Sequence, residues 1–213
     1  MQIKVNLQIF LFIIIFILTH QIEIYSYIMI FAFIHELGHM VAGLLLKLKP
    51  KSICLMPFGV SLTFETYEYK KLVELKKIII ALAGPLINLI IFIIAFVLHI
   101  DQHIKNLICY SNILIATFNL IPLYPLDGGR ILKGIIRLKK EEIYADEIVN
   151  KISNILIVLL TAASSILILY LKNIAVIFII TYLWIIVLNE NKKYNIKKRA
   201  YEILQNSNTH IDI

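Results

Sequence analysis

Phe33-Ile34-His35-Glu36-Leu37-Gly38-His39-Met40 decides how this chain is read, because it lies inside an apolar run from about Ile24 to Leu46. Residues four apart on a helix stack one turn above the other, so His35 and His39 share a face and can grip one Zn2+ ion with two imidazoles. Glu36 sits ~60° around the axis from His39, close enough to reach a water at the ion without being a ligand. A glutamate in hydrocarbon is expensive and normally marks function. A satisfied polar residue or an interfacial anchor is the commoner fate of a lone membrane histidine. Three such groups at metal-site spacing outweigh it.

The surroundings of this stretch are those of a membrane protein. Hydrophobic residues make up 60% of the 213, and the mean hydropathy is +0.83, far too apolar for an ordinary soluble domain. From Leu7 to Leu46 the chain is nearly all apolar, interrupted by His20-Gln21-Ile22-Glu23. About forty helical residues would reach ~60 Å, twice the hydrocarbon thickness, so this run predicts two helices folded back at the break. The first run lacks a small-residue cleavage site and leads straight into the metal-bearing segment, so it reads as a span and not a cleaved signal peptide. Further spans are expected at Ile78–Ile100, about Leu107–Leu123, Ile152–Leu171 and Ile174–Leu188, the last two parted by Lys172-Asn173. The fold class is an all-α polytopic membrane protein with six transmembrane helices.

The charges agree with six. On one side of the membrane fall Lys4, the seven basic residues from Lys47 to Lys77, the six from Arg130 to Lys151 and the five from Lys192 to Arg199. The other side holds only Lys105 and Lys172, a division of 19 against 2. The positive-inside rule then puts both termini in the cytoplasm. The net charge of +7 therefore reads as membrane topology, with the lipid bilayer as partner and no nucleic acid. Cys54 and Cys109 fall in separate regions, on opposite halves of the membrane, and form no disulfide framework or metal pair.

Between helices two and three, Ile53 and Leu55 alternate with polar or smaller neighbours, Pro57-Phe58-Gly59 is a turn signal, and Val60 to Glu65 alternates strictly. This predicts a small membrane-associated β-hairpin whose edge can pair with an extended peptide. Val60, Leu62 and Thr63 are the candidate substrate-binding residues. After Asp127, Arg130, Lys133, Arg137 and Lys140 recur at helical spacing beside Ile131, Leu132, Ile135 and Ile136, a basic amphipathic helix for the cytoplasmic surface. Residues 1–190 form the membrane domain, and 191–213 are a short polar cytoplasmic tail.

Catalytic zinc usually takes three protein ligands and a water, so one more Asp, Glu or His is needed at membrane depth. Asn119-Leu120-Ile121-Pro122-Leu123-Tyr124-Pro125-Leu126-Asp127-Gly128-Gly129-Arg130 offers Asp127, where prolines break regular helix and glycines permit close approach. His39 and Asp127 both fall near the cytoplasmic ends of their helices, at similar depth. A helix-capping or turn aspartate before Gly-Gly is the alternative at this position.

His-Glu-Leu-Gly-His with Asn-x-x-Pro-x-x-Pro-Leu-Asp-Gly-Gly resembles the site-2 protease family of intramembrane zinc metalloproteases, and Ala83-Gly84-Pro85 with Asn88 fits it too. Six helices and cytoplasmic termini are most similar to its sporulation branch. The resemblance implies an enzyme, a zinc metalloendopeptidase with one Zn2+ held by His35, His39 and Asp127, and Glu36 as general base. It leaves Asn119 to hydrogen-bond the substrate carbonyl or oxyanion. It implies a membrane-associated protein substrate, the pro-sequence of a sporulation sigma factor, together with membrane-bound regulatory partners. The location would be the bacterial cell membrane or the mother-cell-derived outer forespore membrane. That branch typically carries a CBS domain after the last helix, for which the two dozen residues here leave no room. A metal-ion transporter using His35, Glu36, His39 and Asp127 as a permeation site is the rival reading. The missing inverted repeat and the absence of ligand candidates on the other helices weigh against it.

Overall fold

The computed structural model describes residues 2–56, 59–171 and 175–209, so Pro57, Phe58, Lys172 and Asn173, where a hairpin turn and a helix break are expected, lie outside the described residues. The chain divides into two compact units, Met1–Ile121 and Pro122–Ile213.

The first unit runs β1 (Gln2–Val5), α1 (Gln8–Leu18), α2 (Ile22–Leu45), β2 (Pro50–Met56), β3 (Gly59–Phe64), α3 (Thr66–Lys71), α4 (Glu74–Val97) and α5 (Gln102–Asn119). The first apolar run folds back at the break its sequence predicts. Thr19 Oγ1 donates to the Ile15 carbonyl at 2.9 Å and His20 takes a φ of 55°, which turns the chain after 11 residues. Eleven residues rise only ~16 Å, about half the hydrocarbon thickness. At α5, Asp101 Oδ1 accepts from the His103 and Ile104 amides at 2.9 and 3.2 Å, which supplies partners to the first orphan donors of that helix.

The hairpin forms where alternation places it, with Ile53 opposite Leu62 and Leu55 opposite Val60. A third strand joins it. β1 pairs in parallel with β2, Gln2 opposite Ser52, in the order β1-β2-β3, so β3 lies at the sheet edge. Four residues are too few to show a period of two in sequence, which is why β1 escapes a reading by pattern.

Helix α2 packs against α4 and α5. Gly38 makes the α2–α4 approach possible, since a Cβ there would lie 2.8 Å from Ile87 Cδ1 and 2.9 Å from the Ala83 carbonyl oxygen. Helix α4 buries Ile80, Ala81, Gly84, Pro85 and Asn88 and exposes Ile79, Leu86, Ile90 and Ile93. Small and polar groups inward with large apolar groups outward is the pattern of a helix facing lipid. Both cysteines are free.

The second unit holds α6 (Asp127–Arg137), α7 (Glu142–Leu171) and α8 (Ala175–Thr209), with α6 on α7 and α7 on α8. Helix α6 is the expected basic amphipathic helix, and its cations pair with α7: Lys133 with Asp146 at 2.5 Å and Arg137 with Glu142 at 3.0 Å. Lys197 on α8 reaches the same two carboxylates. Three of the described helices, Ile22–Leu45, Glu74–Val97 and Glu142–Ile166, are long and apolar enough to cross a membrane.

Candidate metal centre

His35 and His39 are buried on α2, each 3% exposed, with their Nε2 atoms 3.1 Å apart. The other nitrogen of each ring has an oxygen partner: His35 Nδ1 meets Asn88 Oδ1 at 2.5 Å, and His39 Nδ1 meets the Ile80 carbonyl at 2.7 Å. A carbonyl can only accept, so His39 Nδ1 carries the proton. For His35 the same conclusion comes through a chain of amides. The Ile108 carbonyl accepts from Asn112 Nδ2 at 2.9 Å, and Asn112 Oδ1 then accepts from Asn88 Nδ2 at 2.8 Å. That turns Asn88 Oδ1 toward His35, whose Nδ1 must donate.

With their Nδ1 atoms so engaged, both imidazoles turn Nε2 toward one point. At 3.1 Å apart, the two Nε2 atoms are close enough to be joint ligands of one cation. This is the donor arrangement a zinc site requires, with each imidazole oriented by a hydrogen bond on its far side. The space is kept open by Gly84, where a Cβ would sit 2.6 Å from His35 Nε2 and closer still to His39 Nε2. Pro85, next to it, lacks the amide hydrogen that would bond the carbonyl four residues back. That leaves the Ala81 carbonyl without its helical donor, next to Ile80, whose carbonyl accepts from His39 Nδ1.

Glu36 leaves the histidine face as its position on α2 requires. Its Oε2 accepts from the Leu62 main-chain amide of β3 at 2.9 Å, so the carboxylate is held by the edge strand. Val60, Leu62 and Thr63 are not equivalent in that strand. The Leu62 amide points away from β2, and one residue on, Thr63 has the opposite sense, in phase with Glu65 two residues further, whose amide donates to the Lys49 carbonyl on the β2 side at 3.0 Å. Asn119 ends α5 half-buried, with its Nδ2 turned back on the Ile115 carbonyl at 3.0 Å.

In the second unit, Asp127 opens α6 and is 4% exposed. Pro122 and Pro125 interrupt helix after Asn119, and Gly129 lets the intervening turn fold down onto α6, since a Cβ there would lie 2.5 Å from the Tyr124 amide nitrogen. The Tyr124 amide donates to Ser153 Oγ on α7 at 3.0 Å. A carboxylate in the first turn of a helix is favoured by the helix dipole, and Arg130 lies 3.7 Å away. Neither effect accounts for its burial, a cost that a bound cation would offset. Sequence reasoning missed Asn112 altogether and noted Asn88 without its role. Asparagines facing one another from neighbouring apolar helices are the signal that would have exposed them.

The profile of peptidase family M50 matches residues 24–103 and 99–162. Stage IV sporulation protein FB of Bacillus subtilis is 33% identical over 135 residues, covering 61% of this chain and 46% of that protein. A zinc metalloprotease of Methanocaldococcus jannaschii is 33% identical over 113 residues, 50% of this chain and 32% of its own length. The chain thus spans less than half the length of these relatives. The solved site-2 protease from Methanocaldococcus jannaschii has the same fold, with a TM-score of 0.68 and 24% identity across 88% of this chain and 89% of that one. With the matched residues covering well over half of the sequence and including the paired histidines, Gly84 and Asp127, the chain belongs to peptidase family M50, the site-2 protease family.

Proposed function

We propose that this protein is an intramembrane zinc metalloendopeptidase that cleaves a membrane-associated pro-protein. The observation that carries this reading is the pair of buried imidazoles with converging Nε2 atoms, each held by an oxygen on its Nδ1 side. His35, His39 and Asp127 are a set of three buried side chains of the composition used by catalytic zinc, two imidazoles and one carboxylate. They hold one Zn2+ per chain. When bound, zinc supplies positive charge that lowers the pKa of a water toward ~7 and offsets the cost of a buried carboxylate.

Glu36 takes the proton of the attacking water as a C–O bond forms at the scissile carbonyl, then delivers it to the amine as the C–N bond breaks. Asn119 donates to the carbonyl oxygen, where negative charge develops, by turning one of its two N–H groups from α5 toward substrate. The peptide must lie extended, because a helix hides its carbonyls in internal hydrogen bonds. The outer edge of β3 suits an added strand, with Val60 and Leu62 pairing through their outward amides and Thr63 shaping the inner register. The substrate is the pro-sequence of a sporulation sigma factor. Similarity to stage IV sporulation protein FB supports that choice. The chain crosses the membrane six times with both termini in the cytoplasm, a topology supported by the basic residues, and the short α1 does so where the bilayer thins to meet it.

The test is co-expression with a candidate membrane-associated pro-protein, scored for cleavage alongside the zinc content of the purified enzyme. Glu36→Gln is expected to abolish cleavage and keep zinc, whereas Asp127→Ala loses both. Stoichiometric zinc in Asp127→Ala would sink the ligand assignment and turn attention to Glu65 or Glu74.

A further inference from the structure

The Leu62 amide has one hydrogen, and two different partners have a claim on it. In the structure it donates to Glu36 Oε2 at 2.9 Å. Leu62 also lies on an edge strand, opposite Ile53, with this amide on the side away from β2. An extended peptide adding to that edge would place a backbone carbonyl where the Glu36 carboxylate now lies. Leu62 is itself 7% exposed, so the contest takes place with little water to solvate the loser.

We propose that the Leu62 main-chain N–H is a positioning group shared between Glu36 and substrate: it holds the glutamate at rest and is taken over by a substrate carbonyl when a strand adds to β3. This inference rests on the strand-addition reading above and deepens it. A hydrogen bond to a carboxylate is stronger than one to a peptide carbonyl, so the peptide must displace the better acceptor. Two consequences follow from that order. Peptide affinity is reduced by the competition, and the glutamate is released from β3 only when a peptide occupies the edge. The coupling gives the site selectivity for segments that can become extended, because a helical segment offers no free carbonyl to claim the amide.

The competition is measurable without turnover. The probe is a fluorescently labelled, capped hexapeptide of alternating valine and threonine, titrated against the full chain in detergent. The titration is run both with zinc bound and after chelation. Glu36→Ala removes the competing acceptor and is expected to tighten peptide binding about tenfold, equivalent to ~1.4 kcal/mol, with or without zinc. In Leu62→Pro, which lacks the amide hydrogen, Glu36→Ala should change nothing further. Hydrogen exchange adds a readout that needs no proline variant: the Leu62 amide should exchange faster in Glu36→Ala than in the parent protein and regain protection when peptide is added. Equal peptide affinity in the parent and Glu36→Ala, no binding to either, or unchanged exchange at Leu62 overturns the proposal. If the peptide binds but Leu62→Pro leaves its affinity untouched, strand addition at β3 is wrong as well. If Leu62→Pro weakens binding while Glu36→Ala does not strengthen it, strand addition stands and only the shared donor fails.

Discussion

Asn88 shows how much of a candidate metal centre rests on a residue outside the proposed ligand set. Its amide has two ends with opposite chemistry, and Asn112 determines which end faces His35. Replacing Asn88 with Ala removes the acceptor that keeps the His35 proton on Nδ1, so the ring can rotate or present the wrong nitrogen. Zinc affinity of Asn88→Ala is expected to fall about 10- to 100-fold, the usual cost of losing such a partner, when measured by competition with a chromophoric chelator. Asn112→Ala should show a smaller loss in the same direction, because the Asn88 amide is then free to flip. Unchanged affinity in Asn88→Ala would mean that the amide chain is packing alone. Gly84→Ala has a different physical origin. The added methyl occupies space beside both Nε2 atoms, and the expected result is a folded chain with little bound zinc.

At the level of elements, the sheet distinguishes positions that look alike in sequence. Val60, Leu62 and Thr63 all fall in a strictly alternating stretch, yet only alternate amides face outward from β3. Proline at Val60 or Leu62 removes an outward donor and should slow cleavage with zinc retained, and the matching Ala variants should be far milder. Proline at Thr63 removes a ladder bond to β2 instead. It should lower the thermal midpoint of the protein, a change that Val60→Pro and Leu62→Pro show to a smaller extent. Equal loss of stability from all three prolines would refute the register. The strand that sequence could not supply, β1, pairs in parallel with β2 from a distant part of the chain. Helix α1 ends for a local reason, the turn at Thr19 and His20, where the polar break in the sequence places it.

Across the whole molecule, the division of basic residues, 19 against 2, is a statement about topology that can be tested independently of the site. Reporter fusions at Asn206 and near His103 are expected to give opposite signals, cytoplasmic for Asn206 and external for His103. Matching signals would overturn six crossings. Among the described helices three meet the length and apolarity needed to span. Helix α5 has 18 residues and carries several polar ones, so it requires partners to cross. Asn112 on its buried face shows how such a helix meets that cost, donating to the Ile108 carbonyl and accepting from Asn88 inside the first unit.

What sequence alone determined was whatever is local or periodic. The metal pair is legible because four residues make one helical turn, Glu36 because of its place between the histidines, the hairpin because side chains alternate, and α6 because its cations recur at helical spacing. Asp127 stood out as an acid between helix breakers and glycines. Tertiary structure decided what depends on residues far apart meeting. Asn88 and Asn112 are 24 positions apart, and Gly84 must lie against rings more than forty residues away, which no spacing encodes. The bond from Leu62 to Glu36 is of the same kind: every backbone has the donor, and only the packing of β3 against α2 selects which one it is. Main-chain groups carry no sequence signature, so their roles become visible only when the fold has chosen their partners.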